Sequence, residues 1–384
     1  MMSQHAAPLA GVKVIELGLW VAGPAAGGVM ADWGANVIKV EPKTGDPQRN
    51  VFGSVGIDKD IPTPPFEIDN RGKKSVVLNL RDDNDISTLM TLLAEADVFI
   101  TNMRVAALAR LGLDPEALTQ KFPTLVYGII TGYGLEGPDA DRPGYDVGAF
   151  WARSGLAHTM VPPGELPPAI RNGQGDHTTG ITLVSGIMAA LFDRSRTGKG
   201  RIVSTSLLRT GIYTLGWETS TFLRFGRRES TRHRSRSTAP LVNSYMCSDG
   251  RGLWLLGLEA DRHWPGIVAA LDIADLARDE RFVDAKARYK NNEVVIAELD
   301  KVFASNTYEY WTKRLDDNDV WWAPINSIPD AIADPQVIAS GAFVDMTPHE
   351  GEAPYKAVNS PVDFDGYEIA PGAVPRLGEH SPNW

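Results

Sequence analysis

The chain's 384 residues, 43% hydrophobic and 22% charged, suffice for a large apolar core and roughly two domains. A net charge of −10 excludes general affinity for nucleic acid or anionic membranes, and a single cysteine, Cys247, excludes an internal disulfide framework and a cysteine-based zinc site. The start of the chain shows no signal-peptide pattern and no segment approaches bilayer-spanning length, so the expectation is a cytoplasmic protein with no metal, no nucleic-acid partner and no membrane partner.

Val12 to Leu17 reads as a short apolar strand, followed by Gly18, Gly23, Pro24, Gly27 and Gly28, an amphipathic helix through Met30 and Trp33, and a second strand over Val37–Val40. Together they make a βαβ unit of the Rossmann kind. The dinucleotide fingerprint Gly-x-Gly-x-x-Gly is missing, and Glu41-Pro42 is a weak match to its ribose-binding acidic position. Lys43 to Asp69, rich in Gly, Pro and Asp, reads as a long surface loop. Ser75–Leu80 then reads as a strand, Asp85–Ala94 as a helix, Val98–Ile100 as a strand ending near Asn102, and Leu125–Ile130 as a strand closed by the Gly132–Gly134 turn. Such alternation predicts a doubly wound, mostly parallel sheet with ligands beyond the carboxyl ends of its strands.

Between Gly173 and Gly200 lies a glycine-flanked acid, Asp176, at the mouth of an apolar helix (Ile181, Leu183, Val184, Ile187, Met188, Leu191, Phe192) that predicts burial and a stop at Gly198. Two readings of Asp176 stand: a helix cap, or a nucleophilic carboxylate favoured by the helix N-terminus and approachable because of its glycines. An arginine cluster, Arg224, Arg227, Arg228, Arg232, Arg234 and Arg236, reads either as a solvated interdomain loop or as a phosphate or partner contact. Leu241–Cys247 and Leu253–Leu258, joined by Asp249-Gly250, predict a hairpin, and small helices run from His263 to about Leu315. The expected domains are 1–224 (Rossmann-like, large), 225–325 (small, α+β) and a return segment, 326–384, completing the large domain.

Several segments together resemble the class III CoA-transferases. They are Pro8–Lys13 through Gly23-Pro24, Ala31–Pro42 (ADWGANVIKVEP), Asn70–Ser75 (NRGKKS), Gly132-Tyr133-Gly134 with Gly137-Pro138, Arg142–Asp146 (RPGYD), Thr197–Gly200 (TGKG) and Leu377–His380 (LGEH). The match covers nearly the whole chain in the family's order. The resemblance implies a Rossmann-like large domain and a smaller α+β domain, in an interlocked homodimer. It implies CoA transfer from an acyl-CoA to a carboxylic acid, with coenzyme A as part of the substrate. Asp176 falls at the family's catalytic aspartate. The family's CoA contacts fall on Val21 beside the acyl group, Leu78 and Asn102 around the adenosine, and Arg81 and Arg110 toward phosphate.

The sequence also departs from the family. A family arginine after the second strand is Pro42 here, leaving Lys43 or Lys39 as substitutes, and a glycine-rich active-site loop is replaced by Leu241–Tyr245. Relatives usually carry a further short helix beyond the Leu377–His380 signature, whereas this chain stops at Trp384. In the family's racemase branch a histidine pairs with the aspartate; Tyr145 stands there instead, and a phenol titrating near pH ~10 is a poor base at neutrality. Tyr145 is therefore expected to line the acyl site or donate to the carbonyl oxygen, with Trp20, Phe150 and Trp151 leaning the pocket toward a medium or bulky acyl group. The alternatives are a racemase-type epimerase, a non-catalytic CoA-binding protein, and a nicotinamide-dependent dehydrogenase.

Overall fold

The computed structural model describes residues 5–53, 56, 61–227 and 230–384. Six parallel strands form its main sheet: β1 (Lys13–Leu17), β2 (Asn36–Glu41), β3 (Lys74–Val77), β4 (Val98–Thr101), β5 (Val126–Thr131) and β6 (Ile202–Ser206), in the order β3-β2-β1-β4-β5-β6. This is the Rossmann strand order, and its switch point, where ligands bind in open α/β sheets, lies between β1 and β4. Apart from the edge strand β6, where Ile202 is exposed, the strands are mostly buried and rich in Val, Ile and Phe, as a parallel sheet covered on both faces requires.

One face carries α1 (Ala22–Asp32), whose side chains Ala22, Ala26 and Met30 pack with Val14, Val98, Leu183 and Ile187. Following it in the chain are α2 (Pro64–Asn70), α3 (Asp83–Glu95), α4 (Val105–Arg110) and α5 (Pro115–Lys121). After the short α6 (Leu156–Thr159) comes α7 (Gln174–Thr197), which ends at Gly198 in the left-handed conformation that favours glycine. Leu183, Val184 and Ile187 of the predicted apolar face are buried, whereas Phe192 is exposed.

The described parts of segment 43–69 are not the surface loop expected. Asp46, Gln48, Phe66 and Asp69 are buried, a 3₁₀ turn runs over Pro47–Asn50 with Asp46 as its cap, and α2 follows. Gly and Pro punctuation here marks turns inside a packed region: Pro64 sits in the first turn of α2, where a missing N–H costs nothing.

The glycines of α1 answer to packing rather than to a phosphate loop. A Cβ on Gly27 would lie 2.1 Å from Glu16 Oε2, one on Gly28 2.7 Å from the Asp69 carbonyl oxygen, and one on Gly23 3.1 Å from the Asn102 side chain. Beneath them is a buried charge network. Glu16 accepts from both Lys39 (2.9 Å) and Lys73 (2.5 Å), and Lys39 also pairs with Asp46 (2.9 Å). Burial raises the Glu16 carboxyl, but the two ammonium groups outweigh it and hold it below the ordinary range. Lys39 is thus committed to Glu16, Asp46 and the Gly18 carbonyl, and does not serve as a phosphate contact. Glu41 is equally occupied, by Arg49, Ser75 and the Asp46 amide, which removes it as a ribose ligand.

Contacts divide the chain into two compact units: Met1–Ala157, Pro168–Arg228 and Ala339–Trp384 as far as these are described, and His158–Pro167 with Glu229–Ile338 likewise. In the second unit, β7 (Val242–Met246), β8 (Gly252–Leu256) and β9 (Trp322–Pro324) form an antiparallel sheet with the expected hairpin at Asp249-Gly250. Its core includes Tyr245, Leu255, Ile267, Leu299, Phe303 and Trp311. Leu241–Tyr245, aligned with the family's mobile loop, leads into and forms β7, with Leu241 and Tyr245 buried. Of the arginine cluster, Arg234 pairs with Asp300 and stacks on Tyr245, and Arg236 pairs with Glu293, so these two hold their own unit together; Arg228 lies outside the described residues. Among the described residues no helix is long and apolar enough to cross a membrane.

Candidate active site

The loop leaving β1 is shaped by Asn102, the first residue beyond β4. Its Oδ1 accepts from the Leu19 amide (3.0 Å) and its Nδ2 donates to the Leu19 carbonyl (2.7 Å), a two-bond clamp across the sheet's switch point. Trp20 adopts φ +64°, a conformation that L side chains rarely take and that costs on the order of 1–2 kcal/mol. Its amide donates to buried Asp46 Oδ1 (3.0 Å), and its ring meets Tyr145 edge to face at 6.3 Å between centroids. Val21 then occupies the N-cap of α1. Strain held by hydrogen bonds at a ligand-facing loop is a mark of functional positioning.

Asp176 sits three residues past the left-handed Gly173 that opens α7, in the helix's first turn. It makes no capping bond, so the capping reading is not what the structure holds. Gly173 lies against Val21, within 3.7 Å of Val21 Cγ1 for a Cβ placed there, which joins the start of α7 to the β1–α1 loop. The preceding chain, Asp146 and a π-helical turn over Val147–Ala152, closed by Arg153 N–H donating to the Gly148 carbonyl (3.0 Å), presses Phe150 against Gly175. Single π turns recur at functional sites. A Cβ on Gly175 would stand 2.6–2.8 Å from the root of the buried Phe150 side chain. Gly175→Ala is therefore expected to displace the first turn of α7 and reduce the Tm, which thermal unfolding checks.

The electrostatics single out the same residue. Burial, then the nearby Asp146 carboxylate, push the Asp176 carboxyl up to about 7, with Asp69 adding to the effect and His177 opposing it. Asp146 is itself buried, and its Oδ2 has no hydrogen-bond partner. A partly desolvated carboxylate in a helix first turn, between glycines, has the setting of a candidate functional carboxylate. His177 Nε2 lies 2.9 Å from Asp69 Oδ1. Among the described residues no group of three or more His, Cys, Asp or Glu side chains is arranged to hold a metal.

Val21, Asn102, Tyr145 and Asp176 thus belong to linked contacts around the switch point. Leu78, just past β3, is buried in the apolar core; Arg81 and Arg110 are exposed, Arg110 at the end of α4, and no contact ties either arginine to Asp176. Sequence reasoning missed Asp46, Asp69 and Gln48, which hold Trp20 and His177, because all three lie in the segment taken for a loop. Their signal was the Asp46-Pro47 helix-start pattern, Asp before Pro. The role of Asp146 as a charge facing Asp176 was also unforeseen; its only trace is its place beside Tyr145.

Comparison with known proteins gives this geometry a context. The family model of CoA-transferase family III matches residues 9–381. The chain is 32% identical over 375 residues to (R)-2-hydroxy-4-methylpentanoate CoA-transferase of Clostridioides difficile, covering 97% of this chain and 93% of that one. It is 34% identical over 355 residues to cinnamoyl-CoA:phenyllactate CoA-transferase of Clostridium sporogenes, covering 90% and 84%. A crystal structure of a CAIB/BAIF family protein from Brucella suis superposes with a TM-score of 0.84 at 30% identity over 98% of both chains. A Rossmann-ordered sheet, a strained loop at its switch point and a family match over nearly the full length agree, and this chain belongs to the class III CoA-transferases.

Proposed function

We propose that this enzyme moves CoA from an acyl-CoA donor to a carboxylic acid through covalent intermediates on Asp176. The observation carrying this reading is the desolvated Asp176 carboxylate at the mouth of α7, next to the β1–α1 loop. An Asp176 oxygen attacks the thioester carbonyl carbon, the C–S bond breaks, and CoA thiolate leaves behind a mixed anhydride. The thiolate attacks the aspartyl carbonyl of that anhydride and expels the donor acid, giving an aspartyl-CoA thioester. The acceptor carboxylate attacks this thioester and releases CoA thiolate again. That thiolate takes the acceptor's acyl carbon and restores Asp176. Carboxylate nucleophile and anhydride keep the thioester's free energy available, whereas an ester on a hydroxyl group would lose much of it. Amide groups of the first turn of α7 that have no partner in the helix ladder are suited to the developing oxyanion.

Val21 and Tyr145 are assigned to the acyl end of the site, and Leu78, Asn102, Arg81 and Arg110 to CoA. The edge-to-face Trp20–Tyr145 pair and Phe150 beneath Gly175 favour a branched or aromatic acyl group. The names of the two relatives above, which act on a branched 2-hydroxy acid and on an aryl one, point the same way. Transfer from a short acyl-CoA to a panel of acids tests this: branched and aryl 2-hydroxy acids are expected to exceed small dicarboxylates in kcat/KM, and the reverse order sinks the proposed acyl class.

Because the attacking form is the carboxylate, kcat/KM is expected to fall tenfold per unit as pH drops below about 7 and to level off above it. A pH profile of initial rates checks this.

The interlocked homodimer is also proposed. Tyr213 of α8 (Leu207–Thr214) and Trp217, Phe222, Leu223 and Phe225 of α9 (Gly216–Phe225) leave a large apolar face exposed, more than a monomer carries without purpose. Light scattering is expected to return twice the chain mass, and Trp217→Glu with Leu223→Glu to lower it or the yield of folded protein.

A further inference from the structure

His177 has a place in the mouth of α7 that the transfer chemistry leaves unused. Its Nε2 is 2.9 Å from Asp69 Oδ1, and Asp69, 2% exposed, is held in turn by Gln48 Nε2 at 3.3 Å. Gln48 is fixed through a second bond to the Pro65 carbonyl (2.8 Å). The other edge of the ring lies against Gly173, where a Cβ would come within 3.3 Å of Cε1 and Nδ1, and the Gly173 carbonyl favours the charged ring. With Asp69 Oδ1 at Nε2 and the Gly173 carbonyl favouring charge, the site suits a doubly protonated imidazole. Although burial alone would lower its pKa, the Asp69 hydrogen bond and charge, with Asp176 and the Gly173 carbonyl, hold it above the ordinary histidine value.

The surrounding charges decide what this does. Asp146, from the chain before the π turn, and Asp69 of α2 both oppose the ionisation of Asp176, while His177, its neighbour in the first turn of α7, favours it. Behind Asp69 stand Lys73 and Glu16, paired with each other. Arg71 and Asp32, which line the same cavity of about 420 Å³ as His177, also pair with each other at 2.6 Å. We propose, resting on Asp176 as the nucleophile, that His177 is a positioning residue. Clamped by Asp69 as an imidazolium one residue along α7 from Asp176, it favours the attacking, anionic form of the Asp176 carboxyl against Asp146 and Asp69.

The test uses the full-length enzyme with the acyl donor and acid that give the best turnover. His177→Gln is expected to shift the acidic limb of the kcat/KM profile upward by about one pH unit, a loss of about tenfold at pH 6 that shrinks to less than about threefold at pH 9. Asp69→Asn moves the limb in the same direction but by less, since it discharges the imidazole while also removing one carboxylate that opposes Asp176, and His177→Lys moves it back toward wild type. A second readout needs no turnover: the His177 ring signals in the NMR titration of the unliganded protein, assigned by their absence in His177→Gln, move to lower pKa in Asp69→Asn. An unmoved limb in His177→Gln, or an equal loss at every pH, overturns the proposal, as does a His177 titration indifferent to Asp69. Retained transfer in Asp176→Asn locates the failure in the nucleophile assignment; lost transfer there with an unmoved His177→Gln profile locates it in the histidine alone.

Discussion

Asp176→Ala is expected to reduce CoA transfer by at least about a thousandfold, with CoA still bound, as measured by thiol-release and transfer assays beside calorimetric titration with CoA. Nothing nearby substitutes: Asp146 is buried and Asp69 is committed to Gln48 and His177. On the native enzyme, incubation with acyl-CoA and hydroxylamine should mark this one carboxylate, visible by peptide mass mapping. Transfer surviving at native rate would remove the covalent mechanism. The same side chain also bears on stability. A carboxyl whose folded pKa is raised to about 7 binds its proton more tightly folded than unfolded, so the stability it lends below pH ~4 is lost as pH climbs through about 7. At pH 8 the ionised group therefore opposes folding, by an amount on the order of 1–4 kcal/mol. Asp176→Asn should raise the Tm by several degrees at pH 8 and leave it little changed at pH 4.

Glu16→Ala should produce the largest loss of stability, about 3–5 kcal/mol, or a Tm lower by about 10 °C in thermal denaturation. It leaves Lys73 fully buried, with only the Pro24 carbonyl and Asn70 Oδ1 as partners, and takes from Lys39 one of its two carboxylates. The double variant Glu16→Leu/Lys73→Met removes charge on both sides and should recover much of the loss, since an apolar pair of similar volume can replace a buried ion pair at little cost. A Tm unchanged within about 2 °C in the single variant contradicts this account of the β1–α1 interior.

The layered α/β fold could be read from the sequence because parallel strands buried on both faces appear as short runs of Val, Ile and Phe, and because Gly34, Gly198 and the Asp249-Gly250 hairpin punctuate them. Strand and helix limits moved by only a few residues. Asp176 was visible too, for its glycine flanks are local. What stayed hidden depends on contacts distant in the chain. Glu16, Lys39 and Lys73 look like surface charges in a linear reading; only the β3-β2-β1 order stacks them. Asp46 and Asp69 sit in a stretch whose Gly and Pro content signals turns, and turn signals do not report burial. His177 gives no local sign of its role, since its partner lies 108 residues away.

The covering of the β3 edge bears on how the chain emerges from the ribosome. The His380 amide donates to the Ser75 carbonyl at 3.0 Å, the Ser75 amide to His380 Nδ1 at 3.3 Å, and the Gly378 amide to Ser75 Oγ at 3.0 Å. These partners are separated by 303 to 305 positions, so at about 5–20 residues per second translation leaves that margin uncovered for about 15–60 s. In that interval the nascent sheet presents an open strand in which Lys74 is the one charged residue to discourage pairing with a neighbouring nascent chain. Yield of this protein should therefore respond to synthesis speed and to trigger-type chaperones more than its finished stability would suggest.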